Sequence, residues 1–239
     1  MRRALNIKQD VGSIMVKRLL AALGLLAVVV SLAAPAFGVE DIATRRARKK
    51  IEAQQYPHQA TEALRNNKPD EAIALFTKAI DSHAFDDQPE ALGDLYFGRG
   101  NAYRAKKDCV SAIKDYDKAI ETVKEGDLYY TRAACHLELK NEDQALADFD
   151  QAIKIDPNAP LYRSARCILL FNRKDFQTAL PDCEKALAAE PENKNLLTAA
   201  SQANEQVGNK PRAAELYRKL LAVDPGNQTA TEGLQRTGG

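Results

Sequence analysis

The sequence predicts an all-α chain built from stacked helical hairpins. Three observations predict it: self-similarity at a period near 34 residues, a composition poor in strand-forming residues, and prolines that recur at the same period. Aromatics make up only 6% of the 239 residues and there is no Trp. Ala, Leu, Lys, Asp and Glu dominate, a mixture richer in good helix formers than in the β-branched and aromatic residues that strands favour. Aligning the segments DEAIALFTKAI, VSAIKDYDKAI, DQALADFDQAI, QTALPDCEKAL and RAAELYRKLL puts Ala72, Ala112, Ala145, Ala179 and Ala213 in one column, 40, 33, 34 and 34 residues apart. A repeat of this length is a supersecondary unit that buries its apolar face only by stacking on its neighbours.

Seven residues after each of these alanines stands Ala79, Ala119, Ala152, Ala186 or Leu220, and between the two columns lies Phe76, Tyr116, Phe149, Cys183 or Tyr217. Small residues seven apart share a stripe of a helix, and one large side chain between them fills the gap that close approach leaves. Each segment is therefore the second helix of a hairpin. Upstream lies a first helix with its own small site, at Ala60, Gly100, Ala133, Cys167 and Ser201. The polar strings NNKPD, AKKD, LKNED, NRKD and VGNKP join the two. Pro157, Pro191 and Pro225 close three of the units.

This pattern resembles the tetratricopeptide repeat family over residues 53–227. The resemblance implies a right-handed superhelical solenoid of about five repeats, at about 53–86, 93–125, 126–159, 160–193 and 194–227. The first unit is degenerate, with Pro57 near its start and about six extra residues around SHAFDDQPEAL after it. Residues 228–239 are expected to form a short capping helix and tail, since a terminal repeat otherwise exposes an apolar face.

In the resembled family the first helices line a groove that receives peptides. Carried over, the lining residues are Phe97, Asn101 and Arg104 in the second unit, Tyr130, Ala134 and Leu137 in the third, Ser164, Ile168 and Phe171 in the fourth, and Thr198, Gln202 and Glu205 in the fifth. The expected ligand is a protein or peptide segment in an apolar, aromatic groove. Members that bind chaperone tails clamp a terminal carboxylate with Lys, Asn and Arg. Only Asn101 matches that cluster, and Phe97 stands where the clamp needs Lys, so a chaperone tail is not the expected partner.

Three units carry an Arg and, sixteen residues on, an Asp: Arg99 and Asp115, Arg132 and Asp148, Arg166 and Asp182. The first unit has Gln59 and Leu75 there, and the last Ala200 and Leu216. The two members are present together or absent together, which predicts an ion pair across each hairpin rather than a ligand site.

Residues 19–34 form an uncharged apolar run behind Lys17 and Arg18 and ahead of Ala34-Pro35-Ala36. That order predicts a secretory signal peptide over residues 1–36. Met15 is an alternative initiator, since residues 1–14 fit no signal pattern. About 16 apolar residues are short of the roughly 20 that span a bilayer, so cleavage and a periplasmic or secreted protein are expected ahead of retention in the inner membrane. Residues 1–36 hold five of the 34 basic and one of the 33 acidic side chains, so the remainder carries 29 against 32. A dedicated nucleic-acid binder shows the opposite balance.

The expected leader, residues 37–52, contains the densest charge beyond the signal: Arg45, Arg46, Arg48, Lys49 and Lys50. It reads either as a solvated helix or as a contact for an anionic membrane surface or acidic partner. The four cysteines admit three pairings. Repeat positions favour Cys167 with Cys183 and Cys109 with Cys135, against the alternative of four buried thiols.

His58, His83 and His136 offer no metal-binding spacing, and no nucleophile elbow or phosphate loop is present. No cofactor, metal or catalytic residue is expected. The predicted function is a non-catalytic scaffold or adaptor of the cell envelope, with a structural accessory subunit of an envelope assembly as the alternative.

Overall fold

The computed structural model describes residues 42–238, which are helical and turn segments with no strand among them. The expected signal segment, its cleavage region and the first residues of the leader lie outside the described residues. Two compact units divide at Lys124 and Glu125. The first holds α1 (Ile42–Ala53), α2 (Tyr56–Arg65), α3 (Pro69–Asp81), α4 (Pro89–Ala105) and α5 (Cys109–Thr122). The second holds α6 (Gly126–Glu138), α7 (Glu142–Ile155), α8 (Pro160–Asn172), α9 (Phe176–Ala189), α10 (Lys194–Gln206), α11 (Lys210–Val223) and α12 (Gln228–Thr237).

Five hairpins result: α2–α3, α4–α5, α6–α7, α8–α9 and α10–α11. The alanines of the first repeated column are all fully buried, and Phe76, Tyr116, Phe149, Cys183 and Tyr217 are at most 1% exposed. Phe76 on α3 shows why a small partner is needed. A Cβ on Gly98 of α4 would stand 2.4 Å from the Phe76 ring, so glycine lets the two helices close on the aromatic side chain.

The turn inside each hairpin shares one backbone device. Asn67, Lys107, Lys140, Lys174 and Gly208 have positive φ, and they recur with the spacing of the alanine column. Each follows a first helix and turns its last carbonyls inward. Lys140 N–H donates to the Leu137 carbonyl at 3.0 Å and Asn141 N–H to the His136 carbonyl at 2.8 Å, the paired bonds of a Schellman cap. Only Gly208 adopts this conformation without a Cβ penalty.

The first unit departs from a regular repeat in two places. Pro57 lies in the first turn of α2, where a missing N–H costs nothing because that donor has no helical acceptor. The six extra residues after α3 form an ordered plug: Ala84 and Phe85 are 4% and 6% exposed and join the core of Phe76, Ala79 and Leu95.

The three expected ion pairs are formed. Arg99 grips Asp115 through Nε and Nη2, both at 2.8 Å. Arg132 grips Asp148 at 2.9 and 2.6 Å, and Arg166 grips Asp182 at 2.5 and 3.0 Å. The guanidinium groups of Arg99 and Arg132 stand over Tyr96 and Tyr129, 5.6 and 5.5 Å from the ring centroids. The fourth hairpin has Arg163 in that place, and it donates to Asp182 as well, at 2.9 Å.

Cys167 and Cys183 join α8 to α9 in a disulfide with Cα atoms 5.1 Å apart. Closing a loop of this length contributes about 3 kcal/mol in chain-entropy accounting. The other expected pairing, Cys109 with Cys135, would join the two units; each of these cysteines is buried.

At the C-terminus, α12 packs its Ala230 and Leu234 on the core of the last hairpin. Arg236 donates to both Glu205 oxygens at 2.6 and 3.1 Å, and Tyr217 Oη donates to Glu205 at 2.6 Å. The Arg236 hydrogen bonds hold the Glu205 carboxyl below its ordinary range.

Candidate functional site

Two helix stripes of the second unit form the candidate surface. Along α6, Tyr130, Ala134 and Leu137 recur at i, i+4 and i+7 and are all half-buried, which places them on one face. Ala165, Ile168 and Phe171 form the matching half-buried stripe on α8. The two helices lie side by side. The Tyr130 ring is 5.7 Å from the Tyr162 ring of α8, and Tyr162 Oη donates to Asp127 of α6 at 2.7 Å. Burial is the chief reason that the Tyr162 phenol titrates well above its usual range.

Beneath the stripes lies a firm floor. Tyr130 and Leu137 rest on Ala133, Ala145, Phe149 and Leu169, with Tyr130 and Phe149 ring centroids 6.0 Å apart. Ile168 and Phe171 rest on the neighbouring core that contains Cys167, Leu170 and Leu197. The Phe171 ring lies 5.8 Å from that of Phe176. The alanines at 134 and 165 leave room between the larger side chains. The surface is uncharged, supported from below, and suited to apolar side chains of a ligand; it presents no nucleophile or general base.

The other groove candidates have different surroundings. Ser164 is buried, and its hydroxyl donates to the Pro160 carbonyl at 2.8 Å. Glu205 is held by Arg236 and Tyr217, so a side chain expected to face a ligand instead anchors α12. In the first unit, Phe97 is only 8% exposed and its ring lies 5.9 Å from the buried Tyr116 ring. Asn101 accepts a hydrogen bond from Tyr116 Oη at 2.9 Å, while Arg104 is half-buried one turn further along. Phe97 and Asn101 thus converge on Tyr116, and Phe97 is part of the hairpin interior rather than a ligand platform.

Among the described residues, no group of three or more His, Cys, Asp or Glu could hold a metal ion, and no helix is long and apolar enough to cross a membrane. A polar depression near Lys140, Asn141, Gln144 and Arg173 is bridged by Arg173 and Asp143 at 2.5 Å. These charges neutralise each other and assemble no catalytic group.

Tetratricopeptide repeat models match residues 59–127, 126–159 and 166–228. The chain belongs to the tetratricopeptide repeat family, whose fold commonly mediates protein–protein or peptide binding and whose members are in general non-catalytic scaffolds. Solved structures agree on the fold. YrrB, described as a TPR protein with an unusual peptide-binding site, is 21% identical with a TM-score of 0.66, covering 82% of this chain and 98% of its own. MamA is 15% identical with a TM-score of 0.61, covering 70% of this chain and 94% of its own. A tetratricopeptide repeat protein from Parabacteroides merdae is 16% identical with a TM-score of 0.62, covering 80% and 72%.

Proposed function

We propose that the protein is a non-catalytic binding module of the cell envelope that receives an apolar segment of another protein on the α6–α8 face of its second unit. The observation that carries this reading is the uncharged stripe pair of Tyr130, Leu137, Ile168 and Phe171, half-buried over a fixed core. Side chains already ordered in the free protein lose little entropy when a ligand covers them, and such central apolar groups become binding hot spots. The peptide-binding site named for YrrB points to the same ligand class.

Peptides selected from a random library on the purified chain test this. They are expected to carry aliphatic or aromatic residues in a repeated pattern, and Ile168→Asp should weaken their binding at least roughly thirtyfold, equal to about 2 kcal/mol. A control variant, Val110→Asp on an exposed position of α5, should bind normally. Unchanged binding by a folded Ile168→Asp variant would move the site off this face.

Export is the second part of the proposal. The basic, apolar and small-residue order of residues 17–36 supports it, and the Cys167–Cys183 disulfide suits an oxidising compartment. Mass spectrometry of the mature protein should find an N-terminus near Phe37 or Val39. An intact terminus at Met1 or Met15 on a cytosolic protein would refute export.

A further inference from the structure

The apolar stripes end at a carboxylate. Asp127 stands three residues before Tyr130 on α6 and is half-buried on the same face. Its position is fixed by α8. Tyr162 is buried, and its hydroxyl donates to Asp127 Oδ1 at 2.7 Å. Gly126 permits that bond, because a Cβ there would stand 2.8 Å from the Tyr162 ring and would push the two helices apart. Among the described residues Asp127 has no cationic partner, and its Oδ2 is left for another donor.

The charges around it do not compensate this carboxylate. The arginines and lysine of α6, α8 and α10 are committed elsewhere: Arg132 to Asp148, Arg163 and Arg166 to Asp182, and Lys194 to Asp224. His136 also faces Asp148, at 3.9 Å. The positive end of the α6 macrodipole amounts to about half a charge, so it offsets only part of the Asp127 charge. Residues 125–239 hold 14 basic and 17 acidic side chains, whereas residues 37–124 hold 15 of each. The net negative charge therefore falls on the unit that carries the apolar face, where it steers a basic segment. The first two ion-paired hairpins show how this protein holds a guanidinium group. Arg99 joins the Tyr96 ring to Asp115, and Arg132 joins the Tyr129 ring to Asp148. Asp127 beside the Tyr130 and Tyr162 rings repeats the carboxylate and the aromatic platform without the arginine.

We propose that the protein segment received on the α6–α8 face carries an arginine or lysine beside its apolar residues, and that Asp127 binds this cation through Oδ2. The inference rests on the peptide-binding reading and narrows its ligand. An acidic segment would meet Asp127 as a like charge. A wholly apolar one would cover the carboxylate without a counter-charge and lose affinity through its dehydration. Asp127 thus selects among segments that the apolar stripes alone would accept equally.

Peptides selected from a random library on the purified chain should carry Arg or Lys at a fixed distance from their aliphatic or aromatic residues. In the tightest of them, replacing that residue by Gln should weaken binding at least about tenfold, as losing one member of a close charge pair does. Asp127→Asn keeps an acceptor for the Tyr162 hydroxyl and should fold normally; on this variant the basic and Gln peptides should bind alike. Asp127→Lys should turn the preference toward a Glu version of the peptide, a reversal that a purely structural role does not produce. Ile168→Ala should weaken the basic and Gln peptides in equal proportion. Selected peptides that depend on Ile168 but share no basic residue would overturn the proposal and leave the binding face intact. A full preference for the basic peptide in Asp127→Asn would also overturn it, leaving Asp127 as the anchor of Tyr162 alone. Binding that survives Ile168→Asp removes the face itself, and this proposal with it.

Discussion

Replacing Asp182 with alanine should destabilise the second unit by about 3–5 kcal/mol, well beyond what a surface ion pair contributes. The Asp182 side chain is 3% exposed, and two arginines close on it, Arg163 and Arg166, which are themselves 14% and 23% exposed. Removing the carboxylate leaves both guanidinium groups partly dehydrated beside an empty site. Arg166 retains its contact to Asp150, and Arg163 can keep the Pro157 carbonyl at 3.3–3.4 Å, so some charge stays compensated.

The protein itself supplies the rescue. In the fifth hairpin the equivalent positions hold Ala200 and Leu216, both buried at 0% and 1% exposure. Arg166→Ala combined with Asp182→Leu should therefore recover part of the loss, because a packed apolar pair can replace a buried ion pair at little net cost, while Arg163 is left with the Pro157 carbonyl alone. Urea denaturation of the single and double variants measures both effects. A loss below about 1.5 kcal/mol for Asp182→Ala would mean that solvent reaches the freed arginines, and strict additivity in the double variant would show that the pair is not coupled.

The hairpins and their ion pairs were legible because each rests on residues that repeat. A small residue at Ala145 or Ala179 recurs for one reason, close helix contact, so the column reports the packing directly. Arg132 and Asp148 are legible as a pair since both are missing wherever one is. What escaped detection has no periodic signal. Lys107, Lys140 and Lys174 take a positive φ that their side chains do not advertise, and Phe85 buries itself from a loop whose neighbours are polar. Arg163 becomes a second partner of Asp182 because it stands where the second and third hairpins have Tyr96 and Tyr129. Glu205 is drawn from the ligand face by Arg236, 31 residues away, and by Tyr217 on the facing helix. The apolar stripe on α6 and α8 could be read from helical spacing, whereas the depth of burial at each position depends on tertiary neighbours.

Phe97 tests that last distinction, and its truncation to alanine should cost about 3–5 kcal/mol of stability while leaving peptide binding by the folded protein unchanged. By repeat position Phe97 belongs to the groove, alongside Tyr130. Its surroundings differ. The ring is 8% exposed and packs on Tyr116, which is itself fully buried and fixed through its hydroxyl to Asn101. Gly98 and Gly100 follow Phe97 on α4, and a Cβ at either would stand within 2.6 Å of Phe76 or Tyr116. These glycines draw α4 tightly against α3 and α5, so the Phe97 ring packed on Tyr116 has become part of the wall. An alanine there leaves a cavity that a glycine-bordered backbone cannot fill with neighbouring side chains. Phe97→Leu should lose much less, since it keeps most of the buried apolar volume. Hydrogen exchange should show the loss concentrated in α4 and α5, with α10 and α11 protected as before. If Phe97→Ala melts normally but no longer binds the selected peptides, Phe97 is a ligand contact and the binding surface includes the first unit.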